Sequence, residues 1–296
     1  MSEFALIDAF VRCFDVEPSP FGPGDDCAVV GARRASVVTT DAVFEHVHFT
    51  RPAFSFADIG HKALAVNLSD LAAMGARPDW FTVALGIPPR VTDAQVVQLG
   101  EGMSALARIH GAKLIGGNVS RASELSVTIT LAGAIPGKPL LRSGAQPGDG
   151  VYVSGTVGGA AGGLLEPGGG LLASQKRPTP HVHFGQALRA FASACIDVSD
   201  GLVQDLGHLC AASKVGAELE SERVPLHPEL IGFDPEFSLN LGLTGGEDYV
   251  LLFTARPRHR RALLELGAFE IGTISRREGV RLDGKTISRS GGFQHR

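Results

Sequence analysis

Hydrophobic and polar positions along the chain follow two periods, one typical of helices and one typical of strands. Leu64, Leu68 and Leu71 recur at helical spacing, and Ser55 with Asp58 forms a capping-box pattern ahead of them. Segments rich in β-branched and aromatic residues alternate with such helices. The predicted elements of the first half are, in chain order, an N-terminal helix, two β-rich segments between residues 26 and 45, a helix over 55–75, the strand WFTVALGIP, a helix over 93–110 closed by Gly111, and the strands KLIGG and ELSVTITLAGAIP.

A second unit is predicted after the stretch GKPLLRSGAQPGDG, which is dense in glycine, proline and small polar residues. We place the boundary near Ser143, which gives an N-terminal domain over 1–142 and a C-terminal domain over 143–296. The predicted elements of the second half are the strand GVYVSGTV, the helix GQALRAFA, the strand ACIDVSD, the helix GLVQDLGHLCAAS, the strand DYVLLFTA and the helix RHRRALLELG. Because each half mixes strands with helices, the predicted fold class is α/β, or mixed α+β, with mixed sheets flanked by helices.

One glycine-rich segment, Glu166 to Pro180, is interpreted differently. It contains a formal GxGxxA match over 168–173, but no strand is predicted before it, as a dinucleotide-binding turn would require. The segment is therefore predicted to be a loop, and it is a candidate for mobility.

Composition narrows the class of protein. The 296 residues include 44% hydrophobic positions, enough for a substantial core, and 31 acidic against 27 basic residues give a net charge of −4. Since basic residues form no long run, neither nucleic acid nor a membrane surface is an expected partner. The N-terminus lacks the pattern of a signal peptide, and the four cysteines are scattered, so a reducing, cytoplasmic location is predicted.

Aspartates in short, uncharged surroundings carry the chemical argument. They occur in PGDDCAVV, VVTTDAVFE, NLSDLAAMG and IDVSDG, where turns meet regular elements. A carboxylate is costly to bury unless a positive charge neutralises it, and few lysines lie near these positions. Magnesium is the usual neutraliser in such places, and it completes its octahedral shell with water and phosphate oxygens. The pattern therefore indicates a magnesium–nucleotide enzyme.

Structural explanations for single acids stay open. Asp200 or Ser199 could simply cap a helix, Asp26 and Asp41 could serve turns, and Asp70 could be a solvated helix position. Capping does not account for Asp197 as well. Glu247 and Asp248 follow two glycines directly before a strand, where a plain tight turn is the alternative. The phosphate loop GxxxxGK[ST], the protein-kinase signatures, GxSxG and HExxH are absent, and two histidine pairs without a third partner make zinc improbable.

Taken as a set, these segments resemble the thiamine-monophosphate kinase family, part of the superfamily that contains aminoimidazole ribonucleotide synthetase and selenophosphate synthetase. The resemblance covers nearly the whole chain. Its matching parts are GDDCAVV from Gly24, TTD ending at Asp41, His48, KALAVNLSDLAAMGA from Lys62, LIGGN from Leu114, LRSGAQPGD from Leu141, IDVSDGLVQDLGH from Ile196 and GGEDY from Gly245.

The resemblance implies ATP-dependent phosphorylation of thiamine monophosphate to thiamine diphosphate, with several Mg²⁺ ions held between the two domains of a homodimer. The implied magnesium ligands are Asp26, Thr39, Thr40, Asp41, Asp70, Asn118, Asp197 and Asp200. The implied ATP contacts are Arg142, Ser199 and the backbone around Gly117, and the implied thiamine contacts are His48, Glu247 and Phe293. This chain departs from the family at Asn118, where aspartate is common, and in its C-terminal GGFQHR.

The implied reaction needs no catalytic side-chain base. A phosphate monoester is mostly a dianion at neutral pH, so the physical problem is the repulsion between two phosphates, which positioning and charge neutralisation overcome. Direct transfer without a phosphoenzyme is the resulting hypothesis. Two alternatives remain open, namely a sibling ATP-dependent synthetase of the same superfamily and an inactive ATP-binding scaffold.

Overall fold

Two separate β-sheets organise the chain, one in each of two units. The computed structural model describes residues 9–15, 36–165 and 169–287. Unit 1 comprises Met1–Leu71 with Ala76–Gly137, and unit 2 comprises Ala72–Gly75 with Lys138–Arg296. Both sheets are mixed and both units contain helices, which confirms the predicted fold class.

The sheet of unit 1 has the strand order β1-β4-β2-β3. Its strands are β1 (Ser36–Phe44), β2 (Arg77–Ile87), β3 (Lys113–Arg121) and β4 (Ser126–Ala134). β4 pairs antiparallel with β1 and β2, whereas β2 and β3 are parallel. The edges of this sheet are therefore β1 and β3, and both carry predicted site residues.

Two helices of unit 1 begin where the sequence predicts. Helix α1 (Phe56–Ala73) follows a reciprocal pair of hydrogen bonds between Ser55 and Asp58, of 3.0 and 3.2 Å. Helix α2 (Asp93–His110) is capped by Thr92 and ends at Gly111 with φ +70°. The two helices approach closely, since a Cβ on Gly60 of α1 would overlap the Leu99 carbonyl oxygen of α2.

The two faces of this sheet differ in exposure. On one face Val127, Ile129 and Leu131 are fully buried, and Leu71 of α1 reaches Gly133. On the opposite face Val38 is 61% and Phe44 is 46% exposed. Because side chains alternate along a strand, Thr40 also belongs to this open face.

Unit 2 is built on a seven-stranded sheet of order β11-β10-β7-β9-β5-β8-β6. Its strands are β5 (Gly150–Val153), β6 (Ala192–Asp197), β7 (Gly216–Leu219), β8 (Leu251–Ala255), β9 (Phe269–Ser275), β10 (Gly279–Leu282) and β11 (Lys285–Thr286). Its helices are α3 (Gly159–Leu165), α4 (Gly169–Lys176), α5 (Val182–Leu188), α6 (Leu202–Ser213), α7 (Pro235–Thr244) and α8 (Arg260–Glu265), with short 3₁₀ turns at Ser221–Arg223, Pro228–Gly232 and Pro257–His259. Apolar side chains of β5, β6 and β8 pack against α6 to form one core.

Several expectations for unit 2 were wrong. The segment predicted as a loop contains α4, a helix of eight residues that starts at Gly169. The helix predicted over GQALRAFA lies earlier, in α5, and ends at Leu188. β7, β9, β10 and β11 were not predicted, because short strands in small-residue and charged sequence show little periodicity. No helix among the described residues is long and apolar enough to cross a membrane.

Candidate functional site

Thr39 and Asp70 meet on the helix-covered face of unit 1. The Thr39 hydroxyl donates a hydrogen bond to Oδ2 of Asp70 over 2.5 Å, which joins β1 to the C-terminal half of α1. Asp41 lies two residues after Thr39 and therefore on the same face of β1. Carboxylate and hydroxyl oxygens of this kind are hard donors that suit Mg²⁺.

Thr40 faces the other way. Its hydroxyl donates to the Ile129 carbonyl oxygen over 3.1 Å and accepts from the Thr130 hydroxyl over 3.2 Å. The Thr40 side chain is therefore separated by the sheet from Thr39 and Asp70. Only its backbone is on the side where Asp41 and Asp70 could share an ion.

Gly117 and Asn118 lie on the opposite edge strand. Asp41 pairs with Ile129, Ile129 with Val83, and Val83 with Gly117, so Asp41 and Gly117 occupy one row that crosses four strands. Three strand spacings amount to about 14 Å, whereas Mg²⁺ ligands lie about 2 Å from the ion. Asp41 and Asn118 of one chain therefore cannot bind the same ion. Asn118 instead donates to the Ser120 hydroxyl over 3.0 Å.

His48 is fixed in a turn that a buried carboxylate supports. Its Nδ1 accepts from the Phe44 amide over 3.0 Å, and its carbonyl oxygen accepts from the buried Lys62 ammonium over 3.3 Å. Beside it, burial would raise the pKa of Glu45, but the hydrogen bond from Arg51 and the amide of Leu125 hold that pKa below its ordinary value. The His48 ring is thus held by the backbone of β1.

Two carboxylates and a histidine lie together beside this turn, and protein cations neutralise the carboxylate charges. Glu45, His46 and Glu124 bring their ligand atoms within 4.8 Å of one another. However, Arg90 donates to both carboxylates, over 3.0 Å to Glu45 and 2.5 Å to Glu124. The arrangement is a salt-bridge cluster in which a cation is not needed.

In unit 2, two segments separated by more than forty residues run side by side. The Val198 amide donates to the Val250 carbonyl, the Tyr249 amide to the Val198 carbonyl, and the Glu247 amide to the Ser199 carbonyl, each over 2.8 Å. The IDVSDG and GGEDY segments therefore form one ribbon. It brings together the backbone positions predicted to serve magnesium, nucleotide and substrate.

The backbone of this ribbon is unusual. Glu247 has φ +67° and Tyr249 has φ +52°. These are left-handed values that residues other than glycine seldom adopt. Such conformations persist where surrounding contacts impose them, and they concentrate at functional sites. The two positions are separated by Asp248, whereas a type I′ tight turn has its two positive φ values at consecutive residues.

Asp205 organises the turn from the other side and was not among the site residues predicted from the sequence. One of its oxygens, Oδ2, accepts from the amides of Ser199, Asp200 and Gly201 over 3.0–3.1 Å. Burial, followed by the nearby Asp197 and Asp200 carboxylates, raises the pKa of Asp205 to about 7. An acid in the first turn of a helix that follows Asp-Gly was the available signal.

The acids of this turn fit a cation. Asp197 is only 5% exposed at the end of β6, and Asp200, Asp205 and His208 have ligand atoms within 4.8 Å of one another. Mutual repulsion among these carboxylates is the electrostatic situation that a divalent ion relieves. The donor set, mainly carboxylate oxygen, suits Mg²⁺ better than zinc.

Three further residues predicted from the sequence to bind ATP, Mg²⁺ or substrate are Arg142, Asp26 and Phe293. Arg142 is exposed, and its carbonyl oxygen accepts from the Ser213 hydroxyl over 3.2 Å. That same hydroxyl accepts from the amides of Gly144 and Ala145, so it anchors the segment that carries Arg142. Asp26 and Phe293 lie outside the described residues.

Comparison with known proteins identifies the family. Residues 24–135 match the N-terminal domain of AIR synthase related proteins, and residues 146–285 match the C-terminal domain. The thiamine-monophosphate kinase of Salmonella typhimurium is 41% identical over 290 residues, covering 91% of this chain and 87% of that protein. The chain belongs to the thiamine-monophosphate kinase family. As a member, it is an enzyme of the phosphotransferase class.

Other family members agree over the full length. The thiamine-monophosphate kinase of Haemophilus influenzae is 36% identical, covering 100% of this chain and 98% of that protein. The crystal structure of the Stenotrophomonas maltophilia K279a enzyme gives a TM-score of 0.86 at 40% identity, covering 97% of this chain and 98% of that one. AaThiL complexed with AMPPCP and TMP gives a TM-score of 0.82 at 33% identity, covering 99% and 96%. E. coli HypE, at 22% identity and a TM-score of 0.80, shares the fold alone.

Proposed function

We propose that this family member transfers the γ-phosphate of ATP to thiamine monophosphate and forms thiamine diphosphate. The observation that carries the proposal is the ribbon that joins the IDVSDG segment, with its acids, to Glu247. It is supported by full-length relatives named for this activity and by a similar structure that contains AMPPCP, an ATP analogue, together with TMP.

Magnesium is the proposed partner of the acidic positions. In unit 1 the Thr39, Asp41 and Asp70 side chains would hold it, with Thr40 contributing through its backbone. In unit 2 the ligands would be Asp197 and Asp200. On β3 of unit 1, Asn118 would bind a different ion from the one that Asp41 binds. Asp26 completes the proposed set. When bound, magnesium would neutralise the phosphate charges of ATP and of the acceptor.

The chain's own residues would position the two substrates. Arg142 presents a guanidinium suited to phosphate oxygens, and Ser199 and the Gly117 backbone are assigned to ATP. His48, Glu247 and Phe293 are assigned to the thiamine moiety. We assign the magnesium–nucleotide motifs to domain 1–142 and the remaining ATP and substrate residues to domain 143–296. An oxygen of the acceptor dianion then attacks the γ-phosphorus in line as the bond from that phosphorus to the β,γ-bridging oxygen breaks and ADP leaves, so no catalytic base or phosphoenzyme is required.

A homodimer is the proposed assembly, and a cytoplasmic location stays a prediction. The open face of the unit 1 sheet exposes Val38 and Phe44 beside the Thr40–Thr130 hydrogen bond. An exposed apolar strand surface of this kind is suited to pairing with a second copy.

The proposed function is tested by incubating the protein with ATP, Mg²⁺ and thiamine monophosphate and measuring thiamine diphosphate by chromatography. Asp70→Ala should lower kcat at least about 100-fold, because it removes a proposed ligand of the Mg²⁺ ion that would neutralise the phosphate charges during transfer. Glu101→Ala, an exposed acid on α2, is the matched control and should retain the activity.

Three outcomes would contradict parts of this proposal. ATP turnover without thiamine diphosphate would favour a sibling synthetase. Absence of ATP turnover would favour an inactive scaffold. Ping-pong kinetics or a trapped phosphorylated protein would exclude direct transfer between the two substrates.

A further inference from the structure

Helix α4 is held firmly at its start. The Glu229 carboxylate accepts hydrogen bonds from the Gly170 amide, with both oxygens at 2.9 Å, and from the Leu171 amide over 3.4 Å. These amides have no partner within their own helix, and a negative charge at this end also complements the helix dipole. The first turn of α4 is therefore anchored to the 3₁₀ turn Pro228–Gly232.

The middle of α4 is held by two further contacts. His227 Nδ1 accepts from the Glu229 amide over 3.3 Å, so the neutral ring carries its hydrogen on Nε2 and donates it to the Ser174 hydroxyl over 3.4 Å. On the neighbouring helix, a Cβ at Gly163 would overlap the Leu171 carbonyl oxygen, which shows how closely α3 and α4 pack. Helix α4 is thus held at its start and in its middle by contacts with other elements, despite its glycine-rich start.

The last turn of α4 reaches the proposed substrate carboxylate. Gln175 is 2% exposed, and its amide Nε2 donates to Oε2 of Glu247 over 2.7 Å. The backbone of Glu247 is fixed at φ +67° and by its amide bond to Ser199. Backbone and side chain of Glu247 are therefore constrained by different elements of unit 2.

We propose that Gln175 is a positioning residue that sets the orientation of the Glu247 carboxylate for thiamine monophosphate. This inference rests on the proposed function, in which Glu247 contacts the thiamine moiety. That moiety contains a permanently cationic thiazolium ring. A neutral amide can orient a carboxylate without cancelling its negative charge, whereas a lysine or arginine in the same place would compete with the substrate cation.

The test is a double-mutant cycle on the full chain. Gln175→Met keeps the length of the side chain and removes the donor, and it should raise KM for thiamine monophosphate about ten-fold, as expected for a lost hydrogen bond to a charged group. KM for ATP should change less than about two-fold, since the donor does not reach the residues assigned to ATP. In a Glu247→Gln background, the same Gln175→Met change should have no further effect on KM for thiamine monophosphate.

Ser174→Ala is the matched control, because it removes a contact of the neighbouring residue on the same helix without touching Glu247. It should lower the melting temperature and leave KM for thiamine monophosphate unchanged. Gln175→Glu serves as a second variant should Gln175→Met not fold. Its carboxyl donates when protonated and repels Glu247 when ionised, so KM should be higher at pH 8 than at pH 6 relative to the parent.

The outcomes separate this inference from the proposed function. A parent protein that forms no thiamine diphosphate overturns the proposed function. A parent that forms it, with Gln175→Met leaving KM for thiamine monophosphate unchanged, overturns the positioning role alone. An effect of Gln175→Met that persists in full in the Glu247→Gln background does the same.

Discussion

Carboxylates that look alike in the sequence have very different surroundings in the structure. Asp205 accepts hydrogen bonds from three backbone amides, and Asp70 accepts one from a threonine hydroxyl. Glu45 forms salt bridges with two arginines. The Glu45 group is fully compensated by protein cations. The Asp197–Asp205 group instead places several carboxylates side by side, and their repulsion contributes to the raised pKa of Asp205, which is why this group fits a metal ion and the Glu45 group does not.

Asp248 provides a pH-dependent test of stability. Burial, which outweighs the amides of Gly158 and Ala160, raises the pKa of Asp248 from 3.8 to about 7. The folded protein therefore retains a proton that the unfolded chain releases, so this carboxyl favours folding at low pH, and the contribution is lost as pH rises through 7. Without nucleotide or metal, the unfolding free energy of the parent relative to Asp248→Asn should fall by about 2 kcal/mol between pH 5 and pH 8.

The measurement for Asp248 is urea unfolding of both proteins at each pH. Because asparagine does not titrate, the difference between the two proteins removes the contribution of other groups. A difference that stays constant, or that grows in favour of the parent as pH rises, would contradict the expectation.

Asn118 provides a test of metal chemistry at a single position. A neutral amide oxygen binds Mg²⁺ without contributing a full negative charge. Asn118→Asp should therefore lower the Mg²⁺ concentration needed for half-maximal activity, by roughly three- to ten-fold given a gain of about 1 kcal/mol. Titrating Mg²⁺ at saturating ATP measures the concentration that gives half-maximal activity. If that concentration is the same in both proteins, Asn118 is not one of the magnesium ligands.

Among the helices and strands, packing between α1 and α2 depends on glycine. A Cβ on Gly60 would meet the Leu99 carbonyl, and a Cβ on Gly102 would meet the Ala57 carbonyl, so the two helices approach at reciprocal positions. Backbone cannot move aside as a flexible side chain can. Gly60→Ala should therefore lower the unfolding free energy by about 1–3 kcal/mol, although alanine has the higher helix propensity.

The control for Gly60→Ala is Gly116→Ala on β3, where the nearest atom to a new Cβ is 4.0 Å away. Its effect should stay within about 0.5 kcal/mol. Thermal or denaturant unfolding of the three proteins gives the comparison. Equal effects of the two substitutions would mean that close helix packing is not what Gly60 serves.

For the whole molecule, the open sheet face predicts the oligomeric state. Val38→Asp places a charge within the proposed contact, and it should weaken dimerisation at least about 100-fold. Ile109→Asp is the matched control, because Ile109 is 68% exposed on α2 and lies away from that face. Sedimentation analysis should show a dimeric parent, a dimeric control and a monomeric Val38→Asp protein. A monomeric parent, or a dimeric Val38→Asp protein, would contradict the proposed assembly.

Short stretches of sequence were sufficient to predict those helices that are delimited by contacts between neighbouring residues. Helices α1 and α2 were predicted from apolar spacing and from caps at Ser55 and Gly111, since capping bonds form between neighbours in sequence. The family was also identified correctly from short acidic and glycine-containing segments. Helix α4 was missed because its glycines indicate a loop locally, while Glu229, His227 and Glu247, all more than fifty residues away, hold it in place.

The amino-acid sequence by itself determined the two mixed α/β halves, the family and the residue types available for binding a phosphate-bound cation. Only the tertiary structure decided which of those residues meet. Thr40 faces away from Asp70, Asn118 lies three strand spacings from Asp41, and Asp205 and Gln175 join the site although no role was predicted for either from the sequence. Strand register and backbone hydrogen bonds between distant segments set these relations, and neither can be read from the spacing of neighbouring residues.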